Sequence, residues 1–228
     1  MCGYAIVRTA WHILPIGIRS RIGPAVEVIY SRFMRLADSC FDLLYGVGTQ
    51  TVLRYTEIDR VKTTGTDPHH NIPTYYLRAL ALRHYLRPTE DDVFIDLGCG
   101  LGRMLFVFAG SSMRKIRGIE FDGWACEKAR QNLQAFRGRR EGIEIIQGDC
   151  ATFQYNDETI VFLYNPFGEH TLTAALDGLR KSLSTNPRRL RICYFTAPLR
   201  RVLDNAEWLM LEHEIQFFKK SFLIYRAK

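Results

Sequence analysis

The sequence predicts an α/β protein: a doubly wound, mostly parallel sheet of seven strands, closed by a C-terminal antiparallel hairpin and preceded by an N-terminal helical extension. Three observations predict it. From residue 92 onward, short apolar runs of strand length alternate with longer stretches of helical periodicity, the pattern of parallel strands joined by crossover helices. The first run ends in a glycine turn, Asp96-Leu97-Gly98-Cys99-Gly100-Leu101-Gly102. The chain then finishes on two apolar runs with no helix between them.

The elements follow in chain order. Residues 1–70 are read as a helical extension and lid, and residues 71–228 as the main domain. Apolar and basic residues interleave over residues 6–44, which predicts helix broken at Pro15 and Pro24. The apolar start of the chain is interrupted by Arg8 and His12 and followed by Arg19 and Arg21. It is too short and too charged to span a bilayer, and it lacks a signal-peptide core with a small-residue cleavage site. The expectation is a helix packed on the main domain; a basic amphipathic helix in peripheral contact with a membrane is the second reading. Turn residues at 63–71 (TTGTDPHHN) mark the boundary. Pro73 is expected in the first turn of a helix running through Tyr76, Leu80 and Leu86.

In the main domain, strands are expected at 93–97, 116–120, 143–147, 160–164 and 190–195, with helices at 103–109, 123–136 and 171–183. Residues 208–217 and 221–225 flank Phe218, Lys219 and Lys220 and predict the closing antiparallel pair.

A length of 228 residues suits one well-buried core with an added element and is tight for two domains. With 47% hydrophobic and 24% charged residues the chain is an ordinary globular one. The net charge of +7 points to an anionic partner such as nucleic acid, a lipid head group or an acidic protein. The basic residues form only small clusters, at Arg137, Arg139 and Arg140, at Arg188, Arg189 and Arg191, and at Arg200 and Arg201. These read more simply as solvated helix ends, so a nucleic-acid partner is not favoured. The six cysteines, Cys2, Cys40, Cys99, Cys126, Cys150 and Cys193, are scattered, with no C-x-x-C pair and no histidine at zinc-ligand spacing. No metal site and no secreted disulfide framework is expected, and a reducing, cytoplasmic setting is.

A chain that passes from strand to helix as tightly as residues 96–103 needs glycine, and it is expected to offer free N–H groups to a ligand at the helix start. A dinucleotide fingerprint would need glycine at position 103, where Arg103 stands, and no lysine and hydroxyl follow as in a phosphate loop. The second strand ends in Glu120-Phe121, where a carboxylate can accept both hydroxyls of a ribose. Gly148-Asp149-Cys150 follows the third strand, and Tyr164-Asn165-Pro166-Phe167 follows the fourth.

Taken with the terminal hairpin, these motifs resemble the class I, seven-strand, Rossmann-like S-adenosylmethionine-dependent methyltransferases, over about residues 71–226. The sequence is most similar to a bacterial group of that class carrying D-x-G-x-G-x-G-R and Y-N-P-F, whose N-terminal extension looks like residues 41–46. It is loosely similar to the Dot1-like and mitochondrial lysine methyltransferases.

The resemblance implies S-adenosyl-L-methionine as cofactor. Asp96, Gly98, Cys99, Gly100 and Gly102 would turn around its methionine portion, and Glu120 with Phe121 would hold the ribose. Asp149 would accept from the adenine amino group, with Cys150 or Ala151 beside the ring. Thr74 or Tyr75, in a lid that includes His69 and His70, would touch the cofactor's carboxylate or the substrate. Tyr164, Asn165, Pro166 and Phe167 would face the transferable methyl group, Asn165 also touching the cofactor.

An alkylammonium of pKa about 10.4 has no lone pair at neutral pH, so such a site must accept the nitrogen's hydrogens. The Asn165 amide and a backbone carbonyl at Pro166 are suited to that, and the Phe167 ring face suits positive charge. N-methylation of an amine of a protein or small molecule is therefore the expectation. The motif has one proline where amino methyltransferases have two, which leaves an oxygen nucleophile open, with His170 as base or simply as a surface residue. The same residues are compatible with a nucleic-acid methyltransferase and with a catalytically silent cofactor-binding regulator.

Overall fold

An apolar run with no alternation needs cover on both faces, and that is how the central strand sits. In the computed structural model, which describes residues 16–51, 72–217 and 220–228, every residue of β1 (Val93–Leu97) is buried. It pairs in parallel with β2 (Lys115–Glu120) on one side and β4 (Ile160–Leu163) on the other. β3 (Ile143–Gln147) lies outside β2, and β5 (Arg191–Phe195) lies beyond β4, both parallel. β6 (Leu209–Phe217) and β7 (Lys220–Ala227) close the sheet antiparallel, giving the order β3-β2-β1-β4-β5-β7-β6. The chain moves outward from β1 to β3 and then returns to β4 beside β1. That reversal opens a crevice at the carboxyl ends of β1 and β4, where open α/β sheets bind ligands.

Helices cover both faces. α1 (Ile16–Tyr45) and α2 (Tyr76–Leu86) lie with α3 (Arg103–Phe108) on one face. Tyr76, Leu82, Phe106 and Phe108 join Phe94, Phe162 and Phe195 in that core. α4 (Gly123–Ala135) follows β2, its N-cap Asp122 accepting from the Ala125 N–H at 2.7 Å. α5 (Glu169–Thr185) covers the other face, where Leu172, Leu176 and Leu179 pack with Ile95, Leu97 and Leu163. α6 (Arg200–Asp204) precedes β6.

The strands fall within a residue or so of expectation, except that β7 begins at Lys220 rather than after it and runs to Ala227. Three expectations need correction. The backbone of α1 runs through Pro24 without a break, since proline removes only one ladder hydrogen bond and the C-terminal half of α1 is held by packing on α2. Pro73 stands three residues before α2 rather than in its first turn; the helix start is set by Asp38 of α1, whose Oδ1 accepts from the Tyr76 N–H at 2.9 Å. α6 has no counterpart among the expected elements, because five residues with one buried apolar position, Leu203, carry no readable period. Residues 1–15, the turn at 63–71 with His69 and His70, and Phe218 and Lys219 lie outside the described residues.

The described part of the extension shares the core of the main domain. Asp42 accepts from the Thr49 N–H (2.8 Å), the Thr49 hydroxyl (2.7 Å) and the Tyr76 hydroxyl (2.9 Å), and Phe41 stacks on Tyr76. The opposite face of α1 exposes Ile29, Phe33, Leu36, Leu43 and Leu44. No described helix is long and apolar enough to cross a membrane.

Candidate functional site

The strand ends converge on one cleft. Asp96, Gly98 and Cys99 reach it from β1, Glu120 and Phe121 from β2, Asp149 and Cys150 from beyond β3, and Tyr164, Pro166 and Phe167 from beyond β4. Thr74, preceding α2, completes the near wall. Of the described residues expected at the site, Tyr75, Gly100, Gly102, Ala151 and Asn165 do not line the cleft themselves. Gly102 is the N-cap of α3 at φ +90°, and Asn165 sits between two lining residues at φ +46°. The Asn165 Oδ1 is buried with no hydrogen-bond partner among the described residues.

The glycine turn is held differently from a phosphate cradle. The N–H groups of Gly98 and Cys99 both donate to the Ile119 carbonyl at 2.9 Å, that of Gly102 donates to Cys99, and that of Gly100 donates to the Glu120 carboxylate at 2.8 Å. Three N–H groups of the turn itself are thus turned onto β2 and a fourth closes within the turn, so any N–H groups open to a ligand are those at the start of α3 rather than those of the glycines. The Cys99 thiol lies over Gly118, where a Cβ would meet its sulfur at 2.6 Å.

Glu120 is oriented from both sides: one oxygen takes the Gly100 N–H, the other the Asp122 N–H at 3.0 Å. A carboxylate offers about four lone-pair sites, so each oxygen keeps capacity for a ribose hydroxyl. Asp149 uses one oxygen on the Ala151 N–H at 2.8 Å. Asp96 is 4% exposed. Burial pushes the Asp96 carboxyl well above the usual carboxylate range, with the Glu120 charge adding to it, and burial likewise raises Glu120.

Three carboxylates therefore border the cleft, and the one cation among its described lining residues is Arg103. Arg103 is already engaged: it forms a buried ion pair with Asp38, and it donates from Nε to the Thr49 hydroxyl (2.7 Å) and from Nη1 to the Thr74 carbonyl (3.0 Å). Its guanidinium lies 4.6 Å from the Tyr76 ring centroid. The Arg103 Nη2 and Thr74 Oγ1 atoms are buried without partners among the described residues, so polar capacity remains at this wall. Such a cleft favours a ligand carrying positive charge and hydroxyls, and disfavours a pyrophosphate.

In the sequence Arg103 excludes a dinucleotide fingerprint and ends the D-x-G-x-G-x-G-R motif without being assigned to the site, and nothing there marks Thr49, Leu101, Met104, Phe162 or Thr171 as lining residues. An arginine directly after a glycine turn, where the helix buries every residue, is the signal that could have found the arginine. His170 is exposed in the first turn of α5 and does not line the cleft, and its neighbour Glu169 pairs with Arg201. Among the described residues no cluster of potential metal ligands occurs.

No protein-family model and no curated protein matches the chain. Solved structures do. An RNA methyltransferase from Salinibacter ruber, in complex with S-adenosyl-L-homocysteine, matches at 21% identity over 68% of this chain and 94% of its own, with a TM-score of 0.53. A SAM-dependent methyltransferase from Aquifex aeolicus matches at 12% identity over 65% and 88%, TM-score 0.52. A glycopeptide N-methyltransferase complexed with S-adenosyl-L-methionine matches at 13% identity over 67% and 86%, TM-score 0.52. The likeness is one of fold: the seven-stranded sheet of this chain is the Rossmann-like sheet of those methyltransferases.

Proposed function

We propose that this chain is an S-adenosylmethionine-dependent methyltransferase that methylates an amine nitrogen of a small molecule or a protein. The observation that carries the reading is the acidic cleft itself. It combines a glycine turn whose Gly98, Cys99, Gly100 and Gly102 N–H groups are engaged within the protein with Asp96, Glu120 and Asp149 facing inward. NAD would bring a pyrophosphate to a turn with no N–H groups to offer at those positions, next to buried carboxylates. A sulfonium and an ammonium on one ligand instead match Asp96 and Glu120 in charge.

The residues present fit the cofactor. Glu120, fixed by two backbone N–H groups, would hold the ribose hydroxyls, and Asp149, with Phe121 and Cys150 lining the same cleft, would hold the adenine amino group. Asp96 faces the methionine ammonium, with Gly98 and Cys99 alongside, while the unpartnered Thr74 hydroxyl and Arg103 Nη2 suit the carboxylate. When bound, the cofactor supplies an electrophilic methyl group. The chain's own part is to orient the acceptor nitrogen through hydrogen bonds to its N–H groups, the ammonium proton passing to solvent water before transfer. Tyr164, Pro166 and Phe167 form the wall where the acceptor stands, and the unpartnered Asn165 Oδ1 is the acceptor for the nitrogen's hydrogens once its side chain turns into the cleft. Phe167 presents an aromatic surface to the nitrogen as it gains charge.

Calorimetry tests the cofactor. S-adenosylmethionine and S-adenosylhomocysteine should bind, and Glu120→Ala should weaken both by about tenfold or more, the loss of a charge-assisted hydrogen-bond pair. Binding of NAD without binding of S-adenosylmethionine would overturn the proposal. Labelled-methyl transfer into fractionated protein, lipid, nucleic acid and small-molecule pools identifies the acceptor.

A further inference from the structure

A second cavity, of about 230 Å3, adjoins the cleft and shares Ile72, Pro73, Thr74 and Tyr164 with it. Its charge is the reverse of its neighbour's. Arg35 of α1, Arg78 of α2 and Lys220 at the start of β7 line it, and its one acid among the described residues, Asp38, is already paired with Arg103.

Arg78 is the telling residue. It is 6% exposed, and no carboxylate pairs with it among the described residues. Its guanidinium carbon lies 5.4, 5.0 and 5.5 Å from the ring centroids of Tyr30, Tyr75 and Phe195, and its Nε donates to the Tyr30 hydroxyl at 3.2 Å. Aromatic faces hold the guanidinium plane but leave its charge uncompensated, and buried charges are ordinarily paired. Lys220 is placed beside it. Its Nζ is 5.8 Å from the same Phe195 ring and donates to the Tyr164 hydroxyl at 2.8 Å, leaving two further donors.

We infer that this second cavity is an anion-binding subsite for the methyl acceptor, so that the acceptor carries a phosphate or carboxylate group held by Arg78 and Lys220, with Arg35 at the mouth. The inference rests on the methyltransferase reading of the neighbouring cleft. Tyr164 joins the two: it walls the cleft where methyl transfer is proposed and is hydrogen-bonded to Lys220 in the subsite. A nucleic-acid backbone would instead call for cations tracking along an exposed surface. Here the cavity's most buried cation, Arg78, has no carboxylate partner among the described residues.

The test uses the full chain saturated with S-adenosylhomocysteine, titrated in a calorimeter with inorganic phosphate and, separately, with malonate at matched ionic strength. Saturable binding is expected, the stronger of the two probes telling phosphate from carboxylate. Arg78→Gln should weaken it about tenfold and Lys220→Met about threefold, as for lost charge-assisted contacts. Arg130→Gln, at a half-buried position on α4 outside the cavity lining, should leave it unaltered. If Arg78→Gln fails to fold, Lys220→Met and Arg35→Gln decide, and unchanged affinity in both overturns the subsite. Absence of phosphate and malonate binding in a protein that binds S-adenosylhomocysteine sinks the subsite alone. Absence of S-adenosylhomocysteine binding sinks the methyltransferase reading.

Discussion

Gly98 and Pro166 are packed so closely that a Cβ on the glycine would lie 2.4 Å from the Cβ of the proline. The two residues belong to separate motifs, one at the end of β1 and one beyond β4, and their contact is where the glycine turn meets the acceptor wall. The glycine is required twice over, by that contact and by its φ of +76°. Gly98→Ala must therefore displace backbone, a proline ring being unable to swing aside. The expected result is a loss of about 2–4 kcal/mol in urea unfolding, summing overpacking and a strained φ, together with loss of S-adenosylmethionine binding. An alanine variant that binds the cofactor at the wild-type level would show that the turn and the wall are not coupled.

The Asp38–Arg103 pair ties the extension to the glycine turn, and both side chains are 3% exposed. Removing one member leaves a buried charge without compensation. Asp38→Ala should cost about 3–5 kcal/mol, whereas the double replacement Asp38→Leu with Arg103→Met should cost much less because neither charge remains. Denaturant unfolding of the three variants measures the coupling; additive losses would mean that the pair is not the unit it looks like. Asp38 also accepts from the Tyr76 N–H, so part of the single-variant loss is loss of a helix start.

Much of this was legible in the residues. β1 and the turn after it could be read because an unbroken apolar run followed by Gly98, Gly100 and Gly102 has few other structural solutions. Glu120 followed from its strand-end position, whereas the role of Asp149 came from the family resemblance. What could not be read depends on contacts distant in sequence. The start of α2 is set by a carboxylate on α1, so Pro73 misled. The N–H groups of Gly98, Cys99 and Gly100 go to Ile119 and Glu120 on the next strand, which local spacing cannot reveal. Arg78 and Lys220 come together only when β7 inserts beside β5, and in the sequence they are unremarkable cations.

Asn165 combines a buried, unpartnered Oδ1 with φ of +46°, a conformation that asparagine tolerates better than most residues. Asn165→Gly relieves the backbone, and Asn165→Ala keeps the strain of about 1 kcal/mol. Glycine should accordingly leave the protein at least as stable as alanine does, judged by thermal unfolding. Both should retain S-adenosylhomocysteine binding and lose methyl transfer to the acceptor. Transfer that persists in both variants would remove Asn165 from the acceptor site.

The buried acids of the cleft make a pH prediction whose sign is set by their direction. Burial raises Asp96, with the Glu120 charge adding to it, and burial raises Glu120. A group whose folded value exceeds its unfolded one stabilises fully below the unfolded value, and that stability is lost as pH rises through the folded value. The unliganded protein should therefore lose thermal stability as pH rises from the ordinary carboxylate range, about pH 4, through the raised folded values of the two acids. A separate window lies below it. Burial pushes Asp157 up, but the hydrogen bond and charge of Arg117, with Arg114 and Lys115, bring it below its usual value. Its contribution is present above about pH 4 and is lost as pH falls through the folded value. A cationic ligand reverses the first effect by favouring ionised Asp96 and Glu120, so S-adenosylmethionine should bind more tightly as pH rises and should release protons on binding. S-adenosylhomocysteine, lacking the sulfonium charge, should show a shallower dependence, and Asp96→Asn should flatten both. Calorimetry in two buffers of different ionisation enthalpy counts the protons released. Equal pH dependence for the two ligands would mean that the cleft does not sense the sulfonium charge and that its acids serve the fold instead.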